Sequence, residues 1–284
     1  MQKLSIIIVT WNNEEVLKNC LESLNQVYGD CYLEVIVVDN GNSPKAKSLS
    51  SSYPWVKYIA AERNLGFAGG NNLGFKAATR DYILLLNDDT IVHEDSFTPL
   101  IEFLKSHPKA GIVQGTMNIP GLNNGLDDCG TEMTIFGVQR HLNWGKPTLT
   151  TKLVPRKVFA VKGAMLMFKR EVIKDVGGFL FYDHFKSYYE ETDFCHRAGN
   201  ANWESWFVPT PPIDHLCGTT SGKFRREEIW TQYIANILFS FRRNFGFWRR
   251  LVTIPMFSLL AALRYPRYFL NALRLNRMRN KINE

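Results

Sequence analysis

The sequence predicts an α/β fold with a mostly parallel, doubly wound sheet. Its first half alternates short β-branched runs with amphipathic stretches, and polar residues cluster where the predicted strands end. Because this alternation is typical of β-α units, we expect the strands to run parallel, with their carboxyl ends along one edge where ligands bind. A chain of 284 residues with 45% hydrophobic residues can bury a large core.

The pattern of apolar residues predicts individual elements in chain order. The strands are short apolar runs at residues 4–9, 33–38, 56–60 and 82–86. The helices are residues 14–24, 73–78 and 94–106, of which the first spaces its apolar residues for one face. Residues 118–157 are rich in Gly, Asn, Pro and Thr and have no regular period, so we expect a hairpin or loop excursion over the site.

Polar side chains follow each of the four predicted strands. They are Thr10-Trp11-Asn12-Asn13, Asp39-Asn40, Arg63-Asn64 and Asn87-Asp88-Asp89. The last group is the most informative, because paired carboxylates at the rim of a sheet can bind a hard divalent cation that also contacts phosphates. We interpret this junction as the metal site of an enzyme that uses nucleotide sugars.

Two of these strand ends have alternative explanations. Asp39 can accept the N3 hydrogen of a uracil or thymine ring, but taken alone it is better explained by an Asx turn or helix cap. Residues 63–72 place three glycines before a helical stretch, and glycines let backbone N–H groups approach a pyrophosphate while Arg63 adds charge. A glycine-rich turn with a helix cap is the alternative for this segment. It contains no dinucleotide fingerprint, and no P-loop occurs in the chain.

A second acidic cluster occurs at residues 188–197, at the start of a predicted helix. Three carboxylates there are favourable to the helix dipole, which is a sufficient structural explanation. The alternative is a catalytic role together with His215, which follows a short predicted strand as a candidate metal ligand or phosphate contact. The other histidines are interpreted as structural. They are His93, His107, His141, His184 and His196.

Taken together, the motifs resemble the inverting glycosyltransferases of family 2, which have the GT-A type fold. The resemblance covers roughly residues 3–222. Its motifs are SIIIVTWNN at residues 5–13, VVDNG at 37–41, RNLGFAGGNNLG at 63–74, LNDDT at 86–90, KGA at 162–164, YEETDFCHR at 189–197, and His215 with Gly218. The third motif is similar to the branch of rhamnosyl- and related transferases that act on bacterial surface polysaccharides.

The resemblance implies roles for the residues at matching positions. It implies that Asp89 binds Mg²⁺ or Mn²⁺ with help from His215, and that Glu191 is the catalytic base, with Glu190 as the alternative. Glu191 stands where the family usually has an aspartate, and Asn87 where many relatives have Asp. The implied donor-binding residues hold the pyrimidine, the diphosphate, the ribose or the donor sugar. They are Thr10, Asn13, Asp39, Arg63, Asn72, Asp88 and Gly163.

The activity implied by the resemblance is transfer of a sugar, with rhamnose as the first guess. The donor would be a UDP- or dTDP-sugar, and the acceptor a hydroxyl of a surface polysaccharide or a lipid-linked saccharide. A catalytically silent sugar-nucleotide-binding or scaffolding subunit is the alternative, and only the enzyme needs Glu191 beside an acceptor pocket. Nucleotidyl transfer would require a glycine-rich, basic loop after the first strand, which residues 10–13 do not offer.

The C-terminal segment differs in composition, and we expect a catalytic domain at residues 1–222 and a helical extension at residues 223–284. The extension has 13 basic and 3 acidic residues, whereas residues 1–222 have 21 and 24. Its apolar run at residues 251–263 contains Pro255 and is shorter than the ~20 residues of a spanning helix. We expect it to lie on an anionic membrane surface or, alternatively, to pack on the core or another subunit. A nucleic-acid partner is not expected, since no recognised motif occurs.

Cysteine usage and the first residues bear on the compartment. Five cysteines without a CxxC pair argue against a disulfide framework and against a thiolate zinc site. The apolar run near residue 5 is too short for the core of a signal peptide. We therefore expect a cytoplasmic protein, peripheral on the inner face of the cytoplasmic membrane.

Overall fold

A computed structural model describes residues 4–29, 34–217 and 226–282 of the chain. The strands in these ranges are Leu4–Thr10 (β1), Glu34–Asp39 (β2), Val56–Ala60 (β3), Tyr82–Asn87 (β4), Thr90–Ile91 (β5), Ala110–Gln114 (β6), Met117–Ile119 (β7), Gly125–Leu126 (β8), Thr131–Met133 (β9), Gln139–His141 (β10), Arg156–Val158 (β11), Met165–Lys169 (β12), Glu204–Phe207 (β13) and Ile213–His215 (β14). The α-helices are Glu14–Tyr28 (α1), Pro44–Ser51 (α2), Gly66–Ala77 (α3), Thr98–Ser106 (α4), Val172–Asp175 (α5), Glu190–Asn200 (α6), Arg226–Asn244 (α7), Phe247–Arg264 (α8) and Pro266–Ile282 (α9).

The central sheet has eight strands in the order β11-β13-β6-β12-β4-β1-β2-β3. Strands β4, β1, β2 and β3 are parallel, while β12 lies antiparallel between β4 and β6. Successive residues of β1 and β4 enter two different hydrophobic clusters, one on each face of the sheet. Burial on both faces explains why these strands are continuous apolar runs, and the predicted α/β class is confirmed.

The predicted strands agree with the observed ones to within a residue at each described end, and residue 33 lies outside the described residues. The helix predicted at residues 94–106 begins later, at Thr98. Asp95 explains the difference, because its Oδ1 accepts hydrogen bonds from the N–H groups of Phe97 at 3.1 Å and Thr98 at 3.0 Å. The residues before Thr98 therefore form a capping turn rather than a first helical turn.

In the glycine-rich segment the structure differs from the sequence, which predicted a helix only from residue 73. Helix α3 starts at Gly66 rather than at residue 73, so the glycines lie within the helix. A Cβ on Gly70 would be 2.7 Å from Val9 Cγ1, and one on Gly74 would overlap Ile7, so these glycines let α3 pack closely on β1. The first-turn amide of Ala68 donates to the Lys186 carbonyl at 2.8 Å, so this N–H does not face an open phosphate site.

The excursion at residues 118–157 contains the expected hairpin, formed by the antiparallel strands β9 and β10. A second small sheet has the order β5-β14-β7-β8. In it, β14 pairs with β5 so that His215 lies opposite Thr90. This pairing brings a histidine from late in the chain to the carboxyl end of β4.

Helices α7, α8 and α9 pack on one another and on the catalytic part of the chain. Phe241 and Ile237 of α7 form a cluster with Tyr189, and Asn244 Nδ2 donates to Asp193 Oδ1 of α6 at 2.7 Å. Packing on the core, one of the two alternatives for the extension, is therefore observed. Pro255 lies inside α8 without ending it. In the described ranges, none of the helices has the length and apolarity required to cross a membrane.

Candidate active site

An acidic corner forms where β4 ends. Asp88 and Asp89 follow β4 directly, and each is only 5% exposed. The hydroxyl of Thr90 donates to the Asn87 carbonyl at 2.8 Å, which closes a tight turn and leads into β5. Thr10, at the end of the neighbouring strand β1, donates its hydroxyl to Asp88 Oδ2 at 2.7 Å. Parallel pairing of β1 and β4 thus joins two motifs that are far apart in the sequence.

His215 places a ring nitrogen beside this corner. Its Nε2 lies 3.4 Å from Asp89 Oδ1 and 3.3 Å from Asn87 Nδ2, while its Nδ1 lies 2.7 Å from Asp127 Oδ2. Asp127 is fully buried and also pairs with the Lys162 ammonium. A carboxylate behind the ring fixes which nitrogen faces Asp89, as metal-binding histidines generally require.

The distances in this corner fit a divalent cation. Two ligands of one ion with bonds of about 2.1 Å lie roughly 3 to 4 Å apart, and the distance from His215 Nε2 to Asp89 Oδ1 is 3.4 Å. Asp127, His215 and Cys217 also offer ligand atoms within 4.8 Å of one another. We favour the pair of Asp89 and His215, because Asp127 is already neutralised by Lys162. The carboxylate of Asp89 suits Mn²⁺ or Mg²⁺ with completing water or phosphate oxygens, whereas the imidazole of His215 is a ligand more typical of transition metals and so favours Mn²⁺ over Mg²⁺.

The electrostatics of the corner favour positive charge. Burial disfavours the charged form of His215, but hydrogen bonds to Asp127 and Asp89 outweigh it and raise the pKa of His215 to about 11. Burial also opposes ionisation of Asp127, yet the hydrogen bond with His215 and the charge of Lys162 hold the pKa of Asp127 below its usual value. A cation bound between Asp89 and His215 would also bring positive charge to this corner, and its binding would require loss of the proton from His215 Nε2.

Glu190 and Glu191 form the second acidic group, in the first turn of α6. Burial, and then the charge of Glu191, raises the pKa of Glu190 well above its usual value. Glu190 Oε2 is buried and has no hydrogen-bond partner within the described part of the chain. Burial likewise raises the pKa of Glu191, although the nearby charges of His141 and Lys162 offset part of the effect. The more accessible and better compensated carboxylate is Glu191.

A chain of hydrogen bonds holds the hairpin against Glu191. Tyr233 of α7 donates its hydroxyl to Gln139 Oε1 at 2.6 Å, and Gln139 Nε2 donates to Thr192 Oγ1 at 2.9 Å. Thr192 Oγ1 lies 3.5 Å from Glu191 Oε1. His141, two residues along β10, bonds to Asp128 Oδ2 at 2.6 Å, which raises the pKa of its imidazole.

The turn before α6 is strained. Lys186, Tyr188 and Tyr189 have φ of 56°, 73° and 74°, a region that costs a bulky residue on the order of 1–3 kcal/mol. Asn236 of α7 holds this turn by donating to the carbonyls of Phe185 at 3.1 Å, Ser187 at 3.3 Å and Tyr188 at 2.6 Å.

Arg279 of α9 supports the same turn from behind Asn236. Its Nη2 donates to the His184 carbonyl at 2.6 Å, and its Nη1 donates to Asn236 Oδ1 at 3.0 Å. Both Asn236 and Arg279 are buried. The C-terminal helices therefore fix the backbone from which the two glutamates project.

One cavity of about 500 Å³ joins the two acidic groups. Its volume is within the range of small-molecule sites. An ideal Cβ on Gly163 would lie 3.7 Å from Glu191 Cβ, so this glycine contacts the second acidic group. Of the residues that the sequence predicts for the site, the cavity is lined by Thr10, Asp88, Asp89, Gly163, Glu190, Glu191 and His215.

The remaining predicted donor residues do not line this cavity. Asp39 is buried at the end of β2 and accepts hydrogen bonds from Gly41 N at 2.8 Å, Ser43 N at 2.7 Å and the Tyr58 hydroxyl at 2.8 Å. This is the Asx-type turn that the sequence also allowed. Arg63 is exposed in the turn before α3. Donor contacts of Asp39 and Arg63 remain predictions.

Asn72 and Asn13 also lie outside the cavity wall. The side-chain amide of Asn72 forms hydrogen bonds with the N–H and carbonyl groups of Phe181 and, at 2.7 Å, with Asp183 Oδ1. These bonds connect α3 to the loop that contains residues 181–183. Asn13 precedes α1, and within the described residues its Nδ2 is buried without a hydrogen-bond partner. A donor contact of either residue likewise remains a prediction.

Several wall residues were not identified from the sequence. His141 was interpreted as structural, yet it lines the cavity, as do Gln139 of the hairpin and Tyr233 of α7. No local pattern marks these residues, because the folding back of the hairpin and of α7 brings them to the site. Lys162 was part of a quoted motif without a role, and its pairing with Asp127 supplies one.

The chain has relatives among carbohydrate-active proteins. The profile of Glycosyl transferase family 2 matches residues 5–177. A low-salt glycan biosynthesis hexosyltransferase of Haloferax volcanii is 29% identical over 208 residues, which are 71% of this chain and 63% of that protein. An N-acetylglucosaminyl-diphospho-decaprenol L-rhamnosyltransferase of Mycobacterium tuberculosis is 23% identical over 272 residues, which are 87% of this chain and 86% of that protein. The chain thus spans less than two thirds of the Haloferax relative.

Solved structures share the fold. A Pyrobaculum calidifontis mannosyltransferase in complex with GDP-Man and Mn²⁺ aligns with a TM-score of 0.59 and 13% identity, covering 96% of this chain and 86% of that one. Staphylococcus aureus TarS in complex with UDP aligns with a TM-score of 0.60 and 15% identity, covering 94% and 74%. At these identities the likeness concerns the fold alone, and that fold is of the predicted GT-A type.

Proposed function

Because this chain belongs to glycosyl transferase family 2 and has the GT-A type fold, we propose that it is an inverting, metal-dependent glycosyltransferase. The observation that carries the proposal is the shared cavity. Asp88, Asp89 and His215 line one side of it, and Glu190 and Glu191 also line it. A cation site for a diphosphate and a carboxylate base for an alcohol are the two groups that such a reaction requires in one space.

Glu191 is the proposed general base. Its carboxylate takes the proton of an acceptor hydroxyl while that oxygen forms a bond to the anomeric carbon of the donor sugar. The bond from this carbon to the diphosphate oxygen breaks on the opposite face, so the configuration inverts and a nucleoside diphosphate leaves. The raised pKa of Glu191 supports this role, because a base is most effective when its pKa approaches the working pH.

Asp89 and His215 are the proposed metal ligands, with Asp127 orienting the imidazole. A bound Mn²⁺ or Mg²⁺ would stabilise the charge that develops on the departing diphosphate. Thr10 holds Asp88 in a fixed orientation, which suits Asp88 for a contact to the ribose or the donor sugar. Gly163 leaves room beside Glu191 for the reacting sugars.

The proposed donor is a UDP- or dTDP-sugar, with rhamnose as the first sugar to test. Asp39 and Thr10, at the ends of adjacent strands, are the proposed pyrimidine contacts, and the TarS structure in complex with UDP supports a uridine donor on this fold. The mannosyltransferase in complex with GDP-Man shows that a GT-A fold also takes guanosine, so GDP-sugars belong in the same test. The rhamnosyltransferase relative supports the choice of sugar.

The proposed acceptor is a saccharide of a surface glycan, either free or lipid-linked, and the rhamnosyltransferase relative is named for a lipid-linked one. We further propose that residues 223–284 rest on an anionic membrane surface at the inner face of the cytoplasmic membrane. The absence of any acidic residue from 229 to 283 supports this. Packing of α7 on α6 leaves much of α8 exposed for such a contact.

A ligand screen tests the proposed function. Thermal unfolding of the chain is measured with UDP-, dTDP- and GDP-sugars, with and without Mn²⁺ or Mg²⁺. We expect a pyrimidine sugar nucleotide to raise the unfolding temperature only with metal, because a ligand of the native state stabilises that state. Turnover of the best donor with a saccharide acceptor then separates an enzyme from a silent binding subunit. Stabilisation that is independent of metal, or confined to GDP-sugars, would contradict the proposed donor site.

A further inference from the structure

A second cavity, of about 540 Å³, has no task in the reaction described above. Its walls come from the residues at the start of α3, from the turn before α6, and from the helices α7 and α9. The proposed metal ligands and the two glutamates do not line it. Its volume is nevertheless within the range of small-molecule sites, as is that of the first cavity.

The two cavities share part of their walls. Asn64, Gly66, Ser187 and Tyr188 line both of them. Ser187 and Tyr188 belong to the turn from which the helix of the two glutamates begins. The second cavity therefore starts beside the turn that carries the proposed base. A substrate whose hydroxyl reaches Glu191 can continue past Tyr188 into this second space.

The wall of the second cavity is rich in groups that bond to hydroxyls. The side chains with amide, hydroxyl or carboxylate groups include Asn64, Ser187, Glu227, Gln232 and Asn271. Amide and carboxylate groups carry two polar atoms side by side, which suits the neighbouring hydroxyls of a sugar ring. Tyr188 adds an aromatic surface for the C–H groups of such a ring.

Several of these groups are already held in place by other parts of the chain. Asn271 Nδ2 of α9 donates to Glu227 Oε1 of α7 at 3.1 Å. Gln232 Nε2 donates to the Phe185 carbonyl at 2.8 Å. Side chains that are fixed before a ligand arrives lose less conformational freedom when the ligand binds. The wall is therefore suited to select a ligand by the positions of its hydroxyls.

The charge of the wall distinguishes between the two substrates of a glycosyl transfer. Of the described residues that line the cavity, Glu227 and Glu228 are acidic and Lys186 is basic. Arg267, which is not a wall residue, lies 3.3 Å from Glu227. The surroundings thus have no excess of positive charge, which the diphosphate of a donor would need. A neutral saccharide has no such requirement, so the wall favours the acceptor.

We propose that the second cavity is an acceptor subsite, which binds the sugar units of a neutral oligosaccharide next to the unit that reacts at Glu191. This inference deepens the proposed function and rests on it for the reaction. It implies an acceptor with more than one sugar unit. It also assigns to α7 and α9 a part in the selection of the acceptor.

Binding of neutral sugars tests the subsite without any turnover. Saturation-transfer NMR titrations of the full chain use the methyl glycosides of glucose, galactose, mannose and N-acetylglucosamine, and the matching disaccharides and trisaccharides. Neither donor nor metal is added. For at least one sugar, we expect the oligosaccharides to bind about tenfold or more tightly than the methyl glycoside, because only they reach both cavities.

Two variants locate the bound sugar units. Asn271→Ala removes a hydrogen-bonding side chain from the wall, and Ile229→Trp narrows the cavity without removing a polar group. We expect each to weaken oligosaccharide binding by about 3- to 10-fold or more, the effect of one lost hydrogen bond, and to leave methyl glycoside binding unchanged. The matched control is Leu263→Trp, which enlarges an exposed side chain that lines neither cavity.

Equal affinity of the wild type for methyl glycosides and oligosaccharides, or binding of no sugar in the panel, would overturn the subsite. Unchanged oligosaccharide binding by both variants, with unchanged thermal unfolding, would overturn it as well. Ile229→Trp keeps the test valid if Asn271→Ala fails to fold. Weaker thermal stabilisation of the variants by a nucleotide sugar would assign the cavity to the donor and would also contradict the inference.

Turnover with the best donor separates this inference from the proposed function. In both variants we expect a raised KM for the oligosaccharide acceptor and an unchanged KM for the donor. Oligosaccharide binding by a chain that transfers no sugar would contradict the proposed function and leave the binding site in place. Transfer to methyl glycosides and to oligosaccharides with equal kcat/KM would contradict the subsite and leave the proposed function in place.

Discussion

Glu190 and Glu191 are neighbours in the sequence but have different surroundings. Glu190 is 4% exposed with an oxygen that lacks a hydrogen-bond partner in the described ranges, whereas Glu191 faces the positive charges of His141 and Lys162. A buried carboxyl without compensation favours its neutral form. We therefore assign proton abstraction to Glu191 and regard Glu190 as a buried, largely protonated neighbour.

Replacement of Glu190 by Gln should make the stability less dependent on pH. Burial raises the pKa of Glu190 above 4.5, so its neutral form stabilises the native state below that pH, and this contribution is lost as the pH rises through the folded-state pKa. The variant, which has no charge to bury, should gain stability relative to wild type by up to about 1.4 kcal/mol per pH unit within that window. Thermal unfolding of both proteins between about pH 5 and pH 8 measures this difference in stability.

The matched control for this experiment is Glu15→Gln on the exposed side of α1. It likewise converts a carboxyl in the first turn of a helix to an amide, so it reports the effect of that residue change alone on thermal unfolding. A gain in the Glu190→Gln variant that is constant with pH would show that Glu190 is not held in its neutral form.

Asp127 should control metal affinity through His215. Asp127→Asn keeps an acceptor near His215 Nδ1 but removes the charge that fixes the ring and pairs with Lys162. We expect Mn²⁺ affinity to fall by about 10- to 100-fold, which is typical for loss of the carboxylate behind a histidine ligand. Calorimetric titration with Mn²⁺ measures this. The control is Asp128→Asn, because Asp128 bonds to His141 and not to His215. This variant should bind Mn²⁺ with the affinity of the wild type.

At the scale of elements, the turn before α6 depends on helices from the end of the chain. Three backbone carbonyls of this turn accept hydrogen bonds from the single Asn236 amide, and two tyrosines in the turn have positive φ. Such a backbone persists only where surrounding structure holds it. The C-terminal helices thus contribute to the position of the proposed catalytic carboxylate, Glu191, and of its neighbour Glu190.

Removal of the Asn236 side chain should therefore affect kcat more than donor binding. Asn236→Ala should lower kcat by about tenfold or more while the donor KM changes little, because a misplaced base impairs the reaction and not the nucleotide site. It should also cost about 1–3 kcal/mol of stability for unpaired buried carbonyls.

Asn276→Ala provides the matched control, since Asn276 is also buried but bonds to the Ala235 carbonyl at 3.0 Å and to Arg279 Nη1 at 3.4 Å rather than to the carbonyls of the turn. A similar loss of stability with normal kcat is expected there. An equal fall of kcat in both variants would show that Asn236 contributes to the overall stability of the protein and not to the position of Glu191.

The elements differ in how far the sequence could predict them. Strands β1 and β4 were predictable because both their faces are buried, which makes them continuous apolar runs. Helix α3 was placed too late, because its glycines pack against β1 and are not breakers in that context. The role of His141 at the cavity wall was not predictable, since it depends on where a hairpin without a regular pattern folds back.

At the scale of the whole molecule, two motifs more than 100 residues apart in the sequence meet in one cavity. Strand pairing places Asp88 and Asp89, which follow β4, beside His215 of β14 in one corner. Glu190 and Glu191 of α6 line the same cavity. The sequence predicted that the acidic residues after β4 and those at the start of α6 belong to one site, and both groups line the cavity, whereas four predicted donor residues do not line it. Asp39 bonds within an Asx-type turn and Asn72 bonds to the Phe181 carbonyl, so these motif residues have structural contacts that the sequence pattern did not separate from donor binding.

The most direct test of this shared site is transfer by the Glu191→Gln variant, measured in the presence of the metal and the best donor from the screen. We expect donor-dependent thermal stabilisation equal to that of wild type, because the cation corner is intact, with transfer reduced by about 10²- to 10⁴-fold. Wild-type turnover in this variant, or loss of donor binding together with turnover, would contradict a site in which Asp89 and Glu191 have separate tasks in one cavity.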